Sequence, residues 1–168
     1  IDSHCHIDGE AFDDDRETVV ENSLGEGIFM INASANFESS RAAAKIAQKY
    51  ETGVWAAIGL HPLNLSAQKR ISRDLPEDFC EDGFSAEKYF LLAESKKVVA
   101  IGEIGLDYYY KPKTNIKIEA MKAAQKEALR RQLLFARETD LPAIFHCRMA
   151  HQEMIEALKE EFAARGKI

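Results

Sequence analysis

"VVAIGEIGLD", residues 98–107, decides the fold. Val98 to Ile101 are small and branched apolar residues, the composition of a strand buried on both faces of a parallel sheet. Into that run the chain inserts Glu103, with Asp107 four residues on. A carboxylate buried in a strand is costly unless something positive meets it. No lysine or arginine lies within residues 100–109, so the partner must come from elsewhere in the chain.

Working outward, strand-like apolar runs recur with helical stretches between them, the pattern of βα units and a parallel sheet. The strands are expected to end at His6, at Ala33 in "GIFMINA", at His61 in "VWAAIGLH", at Asp107 and at Arg148 in "AIFHCR". Between them, "DDDRETVVENSLGEG" opens on acids and closes on glycines, as a helix does. "FESSRAAAKIAQKY" and "FSAEKYFLLAESKK" read as further helices. The longest is expected over Asn115 to Glu138, with Met121, Ala124, Ala128 and Leu129 on its apolar face. The stretch from Asn64 to Gly83 is the least patterned and reads as a surface excursion. Five βα units fit either an open doubly wound sheet or the first part of a (β/α)8 barrel, since eight such units would take roughly 270 residues. In both folds function collects at the carboxyl ends of the strands.

The 168 residues, 46% hydrophobic, suffice for one domain over 1–168. With neither a bilayer-spanning apolar tract nor a signal peptide in view, a soluble, cytoplasmic protein without an obligate protein partner is expected. Cys5, Cys80 and Cys147 lack metal-type spacing and read as buried thiols. The net charge of −6 excludes a broad basic footprint that would hold nucleic acid by phosphate contacts alone. If phosphate is the target, metal ions must supply much of the positive charge.

Of the five histidines, His4, His6, His61 and His146 fall at or near expected strand ends, and His151 falls in a helix and reads as solvated. His4 and His6 leave the same face of a short strand, so two imidazoles could bite one ion. Alone, H-x-H fits two ordinary polar histidines equally well. In a parallel sheet Glu103 and His146 share that rim, and imidazoles beside a carboxylate suit zinc, manganese or iron. The competing partner for Glu103 is an arginine such as Arg148. Asp107 is expected to support the site or to cap the following loop. His61, before Pro62, either contacts substrate in proton transfer or is a plain surface histidine. Arg148 either clamps a phosphate or pairs with a rim carboxylate. The run Tyr108 to Tyr110 either stacks on a base or packs on a helix.

"IDSHCHID", "AAIGLHP", "AIGEIGLDYYY", "QKEALRRQLLFA" and "LPAIFHCRMA" occur in an order that resembles the TatD family of metal-dependent deoxyribonucleases, (β/α)8 members of the metallo-dependent hydrolase superfamily. The resemblance covers nearly the whole chain. It implies a two-metal phosphodiesterase acting on DNA with two divalent ions (Mg, Mn or Zn), and the acidic balance suits single strands or short ends better than long duplex. His4 and His6 match the first-site ligands, Glu103 the bridging carboxylate, also placed among the catalytic residues, and His146 a second-site ligand. His61 and Arg148 match pocket-lining positions with catalytic roles. The family's further histidine in "H-x-F-x-G" does not occur here, and the one "TD-x-P" string, Thr139 to Pro142, precedes the fifth expected strand, whereas the family's ligand aspartate belongs to the units beyond it. The chain therefore reads as the first five units of the barrel, a partial barrel truncated at its C-terminus. With open edge strands it is expected to be unstable or self-associating alone, and weakly active or inactive. A relative hydrolysing amides or lactones is the nearer alternative, although such enzymes use a modified lysine where Glu103 stands. A non-catalytic α/β binding module is the other, and the glycine-rich phosphate loop expected of a nucleotide binder does not occur.

Overall fold

A computed structural model describes residues 1–65 and 82–163. Five parallel strands lie in sequential order: β1 (Asp2–Cys5), β2 (Met30–Ala33), β3 (Val54–Ile58), β4 (Val98–Asp107) and β5 (Ala143–Arg148). Helices α1 (Arg16–Gly25), α2 (Phe37–Gln48), α3 (Ala86–Ala93), α4 (Asn115–Glu138) and α5 (His151–Ala163) complete the described elements, with short 3-10 turns at Glu10–Phe12 and Pro62–Asn64. Sequential parallel order is the topology of a (β/α)8 barrel rather than of a doubly wound sheet, whose strand order reverses at a switch point. The five strands form an α/β half-barrel.

β2, β3 and β4 are almost wholly buried, whereas β1 and β5 are the partly exposed margins. At β5, Phe145 is 43% exposed beside a groove of about 420 Å³ lined by Leu133, Ala136, Leu141 and Ala143. Expected and observed helix bounds agree for Asn115–Glu138, where the Thr114 hydroxyl accepts from the Lys117 N–H to cap the start.

Two strands end earlier than the sequence suggests. β1 stops at Cys5 rather than His6, because the next backbone donor, the Ile7 N–H, is taken by the Asn32 side chain. β3 stops at Ile58 rather than His61 because the Leu60 N–H and C=O are both held by the Gln132 amide, at 2.7 and 3.0 Å. Cys5 and Cys147 are half-buried rather than buried, lying at the marginal strands, although burial and the Asp2 charge push the Cys5 thiol up to about 11. Cys80, and residues 66–81 of the expected surface excursion, lie outside the described residues.

α4 fixes the sheet through a repeated device. Gln125 accepts from the Asp107 N–H at 2.8 Å and donates to the Asp107 carbonyl at 2.9 Å, as Gln132 does to Leu60. The two glutamines are seven residues apart, on one buried face of the helix. They clamp the carboxyl ends of β4 and β3, so the helix sets the positions of Asp107 and His61. Replacing Gln132 by leucine would orphan two buried backbone groups, each costing about 1–3 kcal/mol. Urea unfolding of Gln132→Leu should show a loss of at least that size, and an unchanged midpoint would contradict the clamp.

Candidate metal centre

The carboxyl ends of β1, β3, β4 and β5 bring four imidazoles around one carboxylate. Glu103 Oε2 lies 3.1 Å from His4 Nε2 and 3.9 Å from His61 Nε2, while Oε1 lies 2.9 Å from His146 Nδ1. His4 and His6 rings meet edge to face with centroids 5.0 Å apart, and His61 and His146 with centroids 4.2 Å apart. Two donor sets result, His4–His6–Glu103 and His61–Glu103–His146, each with ligand atoms within 4.8 Å of one another. Glu103 belongs to both.

Close approach of β4 and β5 makes this possible. Gly105 pairs with His146 in the ladder, and a Cβ there would collide with the His146 carbonyl oxygen. Its φ of +152° also disfavours any side chain. On the other side of Glu103, a Cβ at Gly102 would fall 2.7 Å from Ile144 Cβ. The two glycines of "GEIG" therefore let β5 come near enough for His146 to reach the carboxylate.

Backbone contacts orient the rings. His6 Nδ1 lies 2.8 Å from the Ala33 carbonyl, which can only accept, so Nδ1 carries the proton and Nε2 keeps a lone pair. His61 Nδ1 accepts from the Leu63 N–H at 3.1 Å, so the neutral ring carries its proton on Nε2 and presents an N–H toward Glu103. His146 Nε2 lies 3.0 Å from Asp107 Oδ2. Asp107 is fully buried, and its other oxygen accepts from the Tyr109 N–H at 2.9 Å. Asp107 thus both supports His146 and caps the following turn, the two roles the sequence left open.

The electrostatics follow from burial and these partners. Burial lowers the His61 pKa to about 4, helped by the neighbouring His146, against the pull of Glu103 and Asp107. Burial would raise Glu103, but the hydrogen bond from His146 and the charges of His61 and His4 outweigh it and hold the carboxyl at about 2. For His146, burial works against the charged form, yet the hydrogen bonds to Glu103 and Asp107 prevail and raise its pKa. The two touching rings are thus driven in opposite directions, His146 toward the charged form and His61 toward the neutral one.

The donor chemistry fits a divalent ion. Glu103 offers two ionised oxygens facing separate imidazoles, His6 holds a free lone pair at Nε2, and Asp107 orients His146 in the manner of a carboxylate behind a ligating histidine. Arg148 is not the partner of Glu103. It pairs in register with Asp107 on the ladder, and its guanidinium lies 3.7 Å from the Tyr109 ring centroid. Tyr108 is buried in the core, whereas Tyr109 and Tyr110 lie outward. His151 is exposed at the first turn of α5, as expected. Sequence reading overlooked Gln125 and Gln132. Their seven-residue spacing amid the apolar face of α4 was the available signal.

A parallel βα half-barrel with an imidazole–carboxylate cluster on its carboxyl rim has the architecture of a barrel metallohydrolase. The family model described as TatD related DNase matches residues 1–168, and the chain belongs to that family of metal-dependent hydrolases. It is 33% identical over 165 residues to the uncharacterized metal-dependent hydrolase YabD of Bacillus subtilis, covering 97% of this chain and 56% of that protein. It is 31% identical over 159 residues to the 3′-5′ ssDNA/RNA exonuclease TatD of Cronobacter sakazakii, covering 94% of this chain and 52% of that protein. The crystal structure of YjjV, a TatD homolog from Escherichia coli K12, superposes with a TM-score of 0.67 at 28% identity, covering 98% of this chain and 56% of that one. The chain spans about half the length of the curated relatives it matches. No described helix is long and apolar enough to cross a membrane.

The opposed shifts of two touching rings give a direct check. In a proton NMR titration of the metal-free protein, His146 should titrate above the ordinary histidine value and His61 near 4. Glu103→Gln removes the carboxylate that holds the proton on His146 Nδ1, so that ring's midpoint should fall. Two rings titrating together near 6.5 would contradict the network.

Proposed function

We propose that this chain carries the metal-binding rim of a phosphodiesterase that cleaves DNA, with single strands or short ends as the preferred substrate. The observation that carries the reading is the Glu103 carboxylate, whose two oxygens face different sets of imidazoles. In this reading His4, His6 and Glu103 hold one divalent ion, and Glu103 and His146 hold a second. Mg, Mn and Zn are the candidates, and the imidazole-rich donors favour Mn or Zn over the oxygen-seeking Mg. Such ions supply Lewis acidity toward a phosphoryl oxygen and make a water acidic enough to attack at neutral pH.

The remaining residues position and neutralise. His61, neutral and with its Nε2–H turned into the site, donates a hydrogen bond to a phosphate oxygen. Asp107 keeps the proton of His146 on Nε2, leaving the Nδ1 lone pair for metal. Arg148 supplies a fixed positive charge beside the rim.

The test is hydrolysis by the full-length protein, assayed under one set of Mn²⁺ conditions with a labelled oligodeoxynucleotide and with an anilide substrate. The oligonucleotide should be cut, with activity abolished by chelation and restored by metal. Glu103→Gln should lower the rate by at least about 100-fold, more than loss of a ring-orienting partner typically does. Anilide hydrolysis without phosphodiester cleavage would overturn the reading.

A further inference from the structure

Beside the rim lies a second cluster that the metal centre does not use. The Arg148 guanidinium sits 3.7 Å from the Tyr109 ring centroid and 5.5 Å from that of Tyr110, and the two rings meet edge to face at 4.9 Å. Tyr109 is 50% exposed, and Arg148 is exposed as well. Among the described residues no carboxylate makes a salt bridge to Arg148, so the charge is directed at the aromatic faces and at solvent. An exposed Tyr109 and a half-buried Tyr110, roofed by a cation with no carboxylate partner among the described residues, are not what packing requires. Tyr108, the one member of the run that packs, is already in the core.

The cluster is tied to the metal-type residues through single atoms. Asp107 accepts from the Tyr109 N–H with one oxygen and contacts His146 with the other. The Tyr108 N–H donates to the Arg148 carbonyl at 2.9 Å, and Asp107 pairs with Arg148 on the ladder. Two exposed lysines, Lys111 and Lys113, follow the tyrosines in the chain.

We infer that Tyr109, Tyr110 and Arg148 form a shelf that stacks an unpaired nucleobase of the strand whose phosphate lies at the rim. The inference rests on the phosphodiesterase reading and adds to it the residues that select single strands. Aromatic rings and guanidinium planes are general stacking surfaces for splayed-out bases, because every base has a π-face. A base held between neighbours in a duplex has no face free for such a shelf. Arg148 serves two groups at once, with its plane toward the base and its charge toward the phosphate.

The experiment measures equilibrium binding to the full-length protein in chelator at low salt, so that no cleavage intervenes. The probes are oligothymidylate and an abasic oligomer of the same length and charge. Wild type should bind the base-bearing strand about tenfold more tightly. Tyr109→Leu should remove that preference while leaving abasic binding unchanged, and Tyr109→Phe should retain it, since the ring and not the hydroxyl stacks. Tyr109 is half exposed, and an unchanged far-ultraviolet dichroism spectrum confirms that the variants fold. Arg148→Gln should weaken binding of both probes and flatten the salt dependence. Equal binding of the two probes by wild type, or a preference that survives Tyr109→Leu, overturns the shelf and leaves the phosphodiesterase reading standing. Binding of neither probe also overturns it. If the base preference holds but no phosphodiester is cut, the hydrolytic reading fails and the shelf remains.

Discussion

A single buried carboxylate organises this molecule. An ionised Glu103 surrounded by apolar strands would cost several kcal/mol, on the order of the whole stability margin of a domain, without positive or hydrogen-bonding partners. Its partners come from two other strands and one loop: His4 from β1, His146 from β5, and His61 from the segment after β3. They can converge because all the strands run parallel and end on one rim. The topology and the charge at Glu103 are thus two aspects of one constraint. A strand reversed in direction would carry its histidine to the opposite end of the sheet.

The constraint propagates outward through backbone contacts rather than through further charges. Gly102 and Gly105 keep β4 bare on either side of Glu103 so that β5 can approach. On the helical layer, Gln125 and Gln132 hold Asp107 and Leu60 by paired hydrogen bonds, which fixes the depth of both strand ends. Asp107 then passes the order on, to His146 on one side and to the tyrosine turn on the other. The proposed metal site and the proposed stacking shelf share this support, so a change at Asp107 would disturb both.

Much of this was legible in the sequence, and what was not has a physical cause. Alternation and chain direction place His4, His6, Glu103 and His146 on one rim without any coordinates, because a parallel sheet leaves little freedom in where strand ends go. Thr114 marks the start of α4 locally, and a local signal is readable. The premature ends of β1 and β3 depend on Asn32 and Gln132, which lie 25 and 72 residues from the backbone atoms they capture. No local pattern announces such contacts. The stacking of Arg148 on Tyr109 was likewise hidden. It depends on the register that pairs Asp107 with Arg148, and a bulge between Ile101 and Ile104 shifts that register. The two glutamines show the converse case, since their spacing was in plain view but a polar residue on a helix suggests solvent by default.

The central claim is that Glu103 is shared by two metal sites. The most direct measurement is the number of Mn²⁺ ions retained per folded full-length protein at equilibrium dialysis, compared between wild type and Glu103→Gln. A shared ligand predicts two ions in wild type and loss of both together in the variant. Retention of either ion at unchanged affinity in Glu103→Gln would contradict it.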